Sequence, residues 1–341
     1  MLSFALGIGT QNNQGDWLEV YYPAPLLDPA NDVAAAARQA LDAPQGNAAV
    51  SFLPEDCARL AADLRAAGDA EQAEFADSLA VSQRPLVAVF LDTDQPPETV
   101  PEVYLKLHLL SHRLVRPHGV DLTGMFGLLR NIAWTNEGAI DVEELPARRL
   151  KARLAGRALT VDCVDKFPKM TDYAVPTGIR IGDTSRVRLG AYLGKGTTVM
   201  HEGFVNFNAG AEGPGMIEGR ISAGVVVGSG SDLGGGCSTM GTLSGGGNIV
   251  IRVGEDCLIG ANAGIGIPLG DRCTVEAGLY ITAGTKVTLI DAEGQTADTV
   301  AARELANQND LLLRRNSQNG RIECLTNKSA VALNEALHAH N

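Results

Sequence analysis

From Val175 onward, aliphatic residues recur every six positions: Val175, Ile181, Val187, Leu193, Val199 and Val205. After an interruption the series resumes at Ile221, Val227 and Leu233, with Thr239 next, and again at Val253, Ile259 and Ile265. A four-residue offset at Pro268 then gives Leu269, Val275, Ile281 and Val287. This is neither the 3.6-residue period of a helix nor the two-residue alternation of a strand. A six-residue repeat marks a hexapeptide β-helix, in which each repeat supplies one short strand and one corner and three repeats close a triangular coil. The aliphatic residue points into the prism and stacks on its counterpart one coil away. Gly follows it at Gly182, Gly194, Gly228, Gly234, Gly254, Gly260, Gly266 and Gly270, where backbone must approach backbone. The pattern predicts a mainly β chain with a left-handed parallel β-helix over 175–290. The stretches 206–220 and 240–252 do not fit and are expected to be excursion loops, where binding and catalysis usually sit.

The first part of the chain reads differently. Helical spacing appears in Val33–Leu41, Glu55–Ala67, Ala70–Leu79 and Val103–Val115, and Pro85–Leu91 is a short apolar run suited to a buried strand. Residues 1–140 are therefore expected to form an N-terminal α/β domain, with 141–174 as a connecting segment. After Val287 the repeat stops. The C-terminal segment 291–341 reads as a turn over Asp291–Asp298, a short helix over Val300–Leu305, and strands from Leu311 to Leu333 around a QNG turn.

Composition narrows the function. The 341 residues carry a formal net charge of −12, which disfavours non-specific binding to nucleic acid or an anionic membrane. The opening MLSFALGIGTQNNQ has no basic n-region and no apolar run is long enough to cross a bilayer, so a cytoplasmic location is expected. The six cysteines form no C-x-x-C pair, and three lie in repeat sequence where a small apolar residue fits. Of the six histidines only His201 lies in the repeat region, so the three-histidine zinc site of carbonic-anhydrase-like β-helices lacks its ligands. An ice-binding face would need regular Thr ranks, which are missing. What remains is an acyltransferase or a non-catalytic trimeric scaffold.

Longer segments resolve this further. MTDYAVPTGIRIGDTSRVRLGAYLGKGTTVMHEGFVNFNAG, GPGMIEGRISAGVVVGSGSDLGGGCSTMGTLSGGG, LIGANAGIGIPLGDRCTVEAGLYITAGTKV and LLLRRNS resemble the tetrahydrodipicolinate N-succinyltransferases in their longer form, from about Phe167 to the terminal NEALHAHN. The resemblance implies a homotrimer with active sites between subunits. It also implies succinyl-CoA as cosubstrate and tetrahydrodipicolinate, in its ring-opened form, as acceptor. Another acyl donor or acceptor on the same fold is the alternative.

The resemblance also assigns residues. Glu218 in MIEGR matches the family's catalytic carboxylate, proposed there either as an acyl carrier or as a base. Read alone, it is a loop carboxylate beside an apolar Ile217, which would suit a base, but a surface pairing with Arg220 is the reading the residues by themselves favour. Arg220 matches a clamp for substrate carboxylates, a task for which the guanidinium fork is shaped. Gly235 and Ser238 would supply donors near the acyl group, and Ala261, Glu276, Ala277 and Gly284 would line the acceptor or CoA channel. Lys286, Arg314, Arg315, Asn316 and Ser317 form a basic and polar cluster for phosphates or carboxylates. Some relatives bind a divalent cation such as Mg through an acidic pair on the trimer axis. Here Glu202 matches one member, Ser185 stands at the other, and Asp183 nearby is out of register.

Overall fold

The computed structural model describes residues 1–241 and 250–326. It separates into two compact units: Met1–Leu109 with Gly119–Pro168, and Leu110–His118 with everything from Lys169 on.

In the first unit, the strands Trp17–Tyr21, Ser3–Gln11, Leu86–Leu91 and Ala48–Phe52 lie side by side in that order, all antiparallel, with Leu26–Leu27 added on Ser3–Gln11. Every residue of Leu86–Leu91 is buried, as expected of a central strand covered on both faces. The helices Asn31–Ala40, Cys57–Ala66 and Ala70–Leu79 present Val33, Ala37, Leu60, Leu64, Ala73 and Ala76 to Phe4, Leu6, Ala88 and Phe90. The expected helix near 103–115 is Val100–Ser111. A second sheet, Gly138–Asp141, Ile132–Thr135 and Val161–Asp165, carries the helix Leu145–Leu154 on a small core of Ile140, Ala152 and Leu159. The expected connecting segment 141–174 thus contains a helix and a strand belonging to this first unit.

The second unit is the left-handed parallel β-helix. Its three sides are ladders of two- to three-residue strands, the third closed by a five-residue one. One runs Ala191–Leu193, Ala209–Ala211, Val226–Val227, Arg252–Val253. The second runs Phe204–Val205, Arg220–Ile221, Ser238–Thr239, Gly264–Gly266, Tyr280–Thr282. The third runs from Arg180–Ile181 through Thr197–Val199, Gly215–Ile217, Asp232–Leu233, Leu258–Ile259 and Thr274–Val275 to Leu311–Arg315. Each strand hydrogen-bonds in parallel to its equivalent one coil on, so coil stacking satisfies the backbone without a tight hairpin. Every repeat position from Val187 to Val287 named above is at most 1% exposed, and all but Thr239 join one hydrophobic core inside the prism.

Two expectations change. Val175 is 67% exposed and lies outside the prism core. The stretch 206–220 is not an excursion: it carries Ala209–Ala211, Gly215–Ile217 and Arg220–Ile221 within the coils. The six-residue step continues at Ala211 and Ile217, both buried; the small side chain at 211 hides it. The period then shortens, Ile217 to Ile221, as it does from Ile265 to Leu269. The register accordingly pairs Val199 with Ile217, 18 positions on, but Ile217 with Leu233, 16 positions on. Of the other expected loop, 240–252, residues 242–249 lie outside the described residues.

Past the prism, Lys286–Ile290 pairs antiparallel with Thr296–Ala301, so the expected Val300–Leu305 helix is a strand end followed by a 3-10 turn, Ala302–Leu305. Leu311–Arg315 and Ile322–Thr326 form an antiparallel hairpin across the QNG turn. Residues 327–341, which include the expected continuation to Leu333, lie outside the described residues. Among the described residues no helix is long and apolar enough to cross a membrane.

Candidate active site

Most of the expected site residues fall along one edge of the prism, where the third ladder turns into the second. Glu218 N–H donates to Leu233 O (2.8 Å), Gly234 N–H to Ile259 O (2.7 Å), Gly260 N–H to Val275 O (2.8 Å) and Glu276 N–H to Leu313 O (2.9 Å). One residue further, Asn262 N–H donates to Gly235 O (2.9 Å) and Gly278 N–H to Ala261 O (2.8 Å). The edge is thus a column of successive coils: Glu218, then Gly234 and Gly235, then Gly260 and Ala261, then Glu276 and Ala277, then Arg314. Coils stack at the interstrand spacing of about 4.8 Å, so the four steps from Glu218 to Arg314 span about 19 Å. The corner residues Gly236, Asn262 and Gly278 all have left-handed φ (70°, 57° and 73°). Glycine adopts this freely, and asparagine tolerates it better than most residues.

At the start of the column, Glu218 occupies the shortened corner. Ile217 behind it is fully buried, while Glu218 itself is half-buried. Its Oε2 passes over the next coil, 3.4 Å from where a side chain on Gly235 would begin. Arg220 is exposed on the adjoining face, and its Cα partner one coil on is Ser238. The structure therefore brings Glu218, Arg220, Gly235 and Ser238 together. Along the same row beyond Ser238 come Gly264 and Tyr280, in register, with the Tyr280 ring lying where a side chain on Gly264 would be. Ala261, Glu276 and Ala277 line the exposed edge of the column.

Cys237 is the residue in this group that the sequence did not single out. Its Sγ lies beneath Gly219, filling the place of any side chain there. Its carbonyl accepts from Arg220 N–H at 2.9 Å. Burial pushes this thiol up to about 12, with Arg220 pulling it down and Glu218 pushing it further up, so it stays a neutral, space-filling support.

At the far end, Glu276 Oε2 accepts from Arg315 N–H at 2.5 Å, which ties the hairpin to the column. Arg314 is ion-paired with Glu323, and Asn316 Nδ2 donates to the same carboxylate at 2.7 Å. Ser317 is exposed in the turn. Gly284 lies in the turn where Thr285 N–H donates to Thr282 O, and the exposed Lys286 opens the next strand. Both belong to the last coil rather than to the Glu218 group.

Glu202 is exposed in a turn, where its carbonyl accepts from Arg186 Nη2 at 3.0 Å. Ser185 Oγ donates to Asp183 Oδ1 at 2.6 Å, and this bond holds the Asp183 carboxyl below its ordinary range. Among the described residues no group of three or more His, Cys, Asp or Glu is placed to hold a metal ion.

A parallel β-helix with a carboxylate, an arginine and small-residue coil edges at one corner defines a hexapeptide-repeat acyltransferase. Residues 250–283 match the family model described as the hexapeptide repeat of succinyl-transferase. Residues 129–169 match the one described as the tetrahydrodipicolinate N-succinyltransferase middle region. The chain is 65% identical over its full length to the 2,3,4,5-tetrahydropyridine-2,6-dicarboxylate N-succinyltransferase of Pseudomonas paraeruginosa, of which 99% is covered. It is 60% identical, again over its full length, to that of Vibrio cholerae, all of which is covered. A crystal structure from Campylobacter jejuni, titled as a 2,3,4,5-tetrahydropyridine-2-carboxylate N-succinyltransferase, superposes with a TM-score of 0.88. It is 33% identical and covers 97% of this chain and 93% of its own. The chain belongs to the tetrahydrodipicolinate N-succinyltransferase family.

Proposed function

We propose that this chain transfers the succinyl group of succinyl-CoA to the amine of ring-opened tetrahydrodipicolinate, L-2-amino-6-oxopimelate, in the diaminopimelate route to lysine. The observation that carries the reading is the coil-edge column, which runs from Glu218 to Arg314 over about 19 Å. Small residues at Gly235, Ala261 and Ala277 let an extended pantetheine arm lie against backbone, with its thioester at Glu218 and its phosphates toward Arg314 and Arg315.

The chemistry follows from that alignment. The acceptor amine gives a proton to the Glu218 carboxylate and attacks the thioester carbon. The new C–N bond places negative charge on the former carbonyl oxygen, toward the Ser238 hydroxyl and the Gly235 backbone. Collapse breaks the C–S bond, and the CoA sulfur leaves with the proton that Glu218 held. Arg220 holds an acceptor carboxylate through its fork. Three chains assemble so that the open face of each prism is closed by a neighbour.

The test is thiol release from succinyl-CoA with L-2-aminopimelate as stable acceptor, with acetyl-CoA in parallel. Release with succinyl-CoA alone is expected. Glu218→Ala and Glu218→Gln should lower kcat by about 10²–10⁴, the usual contribution of a positioned base, with the assembly intact. Near wild-type turnover in either variant would remove Glu218 from this role, and a protein that binds no CoA would be the scaffold instead.

A further inference from the structure

Glu323 is a cross-strand partner of Arg314 in the terminal hairpin. Its side chain is 8% exposed while that of Arg314 is 46% exposed, so the carboxylate is the buried member and the guanidinium reaches outward. Oε2 accepts from both Nε (3.1 Å) and Nη2 (3.0 Å) of Arg314. Oε1 accepts from Asn316 Nδ2 (2.7 Å). Asn316 in turn shapes the hairpin tip: its Oδ1 accepts from Gln318 N–H (3.0 Å), its backbone carbonyl from Gly320 N–H (2.8 Å), and its own N–H donates to Arg321 O (2.8 Å). One buried carboxylate therefore holds both a cation and the residue that shapes the loop beside it.

A carboxylate placed here must recover its desolvation cost through its partners. Glu323 directs both oxygens at groups that lie at the phosphate end of the proposed CoA channel. With Nε and Nη2 engaged, the Nη1 edge of Arg314 is turned away from Glu323. We propose that Glu323 is a positioning residue for CoA, holding Arg314 and Asn316 in the geometry that receives the phosphates of the donor. The proposal rests on the succinyl-CoA reading above. The carboxyl is held below its ordinary range by the Asn316 hydrogen bond and by Arg314.

The experiment compares wild type, Glu323→Gln, Glu323→Ala, Arg314→Ala and the Glu323→Ala/Arg314→Ala double variant. Two donors are used: succinyl-CoA, and succinyl-pantetheine, which lacks the nucleotide and its phosphates. For Glu323→Ala the KM for succinyl-CoA should rise about tenfold, the value of one charge-assisted hydrogen bond, with kcat and the acceptor KM unchanged. Glu323→Gln, which keeps an acceptor oxygen, should fall between. The rise in KM caused by the Glu323 variants should be confined to succinyl-CoA and absent with succinyl-pantetheine, and the double variant should be no worse than Arg314→Ala. Equal losses with both donors, or a fall in kcat that tracks a lower melting temperature, would reduce Glu323 to a structural role and overturn the proposal. Calorimetric titration of free CoA into the same proteins gives a readout independent of turnover, and Glu323→Ala should bind about tenfold more weakly. A wild-type protein that binds CoA but releases no thiol from succinyl-CoA would count against the donor reading alone, and the titration would still decide Glu323.

Discussion

Cys237 shows how much of the site depends on a group that does no chemistry. Its thiol stays protonated in the folded chain up to about 12, whereas an unfolded cysteine ionises near 8.5. The sign is that of an acid kept neutral by burial: its contribution is fully present below the unfolded value and is lost as pH rises toward the folded one. Thermal stability should therefore decline from about pH 8.5 upward, and Cys237→Ala should flatten part of that decline. Melting temperature followed against pH decides it, and an unchanged slope in the variant would assign the alkaline loss elsewhere. At this scale the sequence exposed the residues and hid their neighbours. Glu218 and Arg220 stand out in MIEGR through a family likeness. Cys237 under Gly219, and Glu323 behind Arg314, are contacts across coils or strands that no local pattern displays. The QNG turn did predict the hairpin, but counting across it would pair Glu323 with Arg315, whereas the observed register pairs it with Arg314.

The strand is the unit the sequence revealed best. The six-residue step gave the prism interior from Val187 to Val287 correctly, since only an inward stack needs an aliphatic residue at that spacing. It failed where a coil packs too tightly to take one. In Ala209–Ala211 a side chain on Gly210 would collide with the carbonyl oxygen of Tyr192 in the preceding coil, so this strand is built from small residues and reads as a loop. Gly210→Ala should force two coils apart and cost about 1–3 kcal/mol or more, as overpacking does, measurable by denaturant unfolding. Gly284→Ala, at a position with nothing within 4 Å of the added carbon, should be nearly neutral. If the two variants unfold alike, close coil approach is not what selects glycine at 210.

The whole chain divides less cleanly than its composition suggests. The Gly-rich repeat begins near Val175, but the second unit starts at Lys169 and also includes Leu110–His118. A segment from early in the sequence joins the β-helix unit. Ser111 Oγ donates to Ala191 O at 3.2 Å, and His118 N–H to Asn208 Oδ1 at 2.7 Å. No repeat-based reading could place it there, because it carries none of the period. Assembly is the remaining question at this scale. Light scattering on the purified protein is expected to give a mass of three chains across the concentration range in which thiol release is measured. A single-chain mass with full activity would exclude sites shared between subunits.

The shortened corner between Ile217 and Ile221 has a consequence for how such a catalyst could arise or be remodelled. A coil can lose two residues at a corner and keep its inward ranks in phase, as the pairings of Ile217 with Leu233 and of Ile259 with Val275 show. Deletion here is not damage: it draws the backbone in and leaves one side chain leaning over its neighbour. A reactive centre could thus be written into an inert repeat by omission, and erased by restoring the missing pair, while the scaffold around it stays the same.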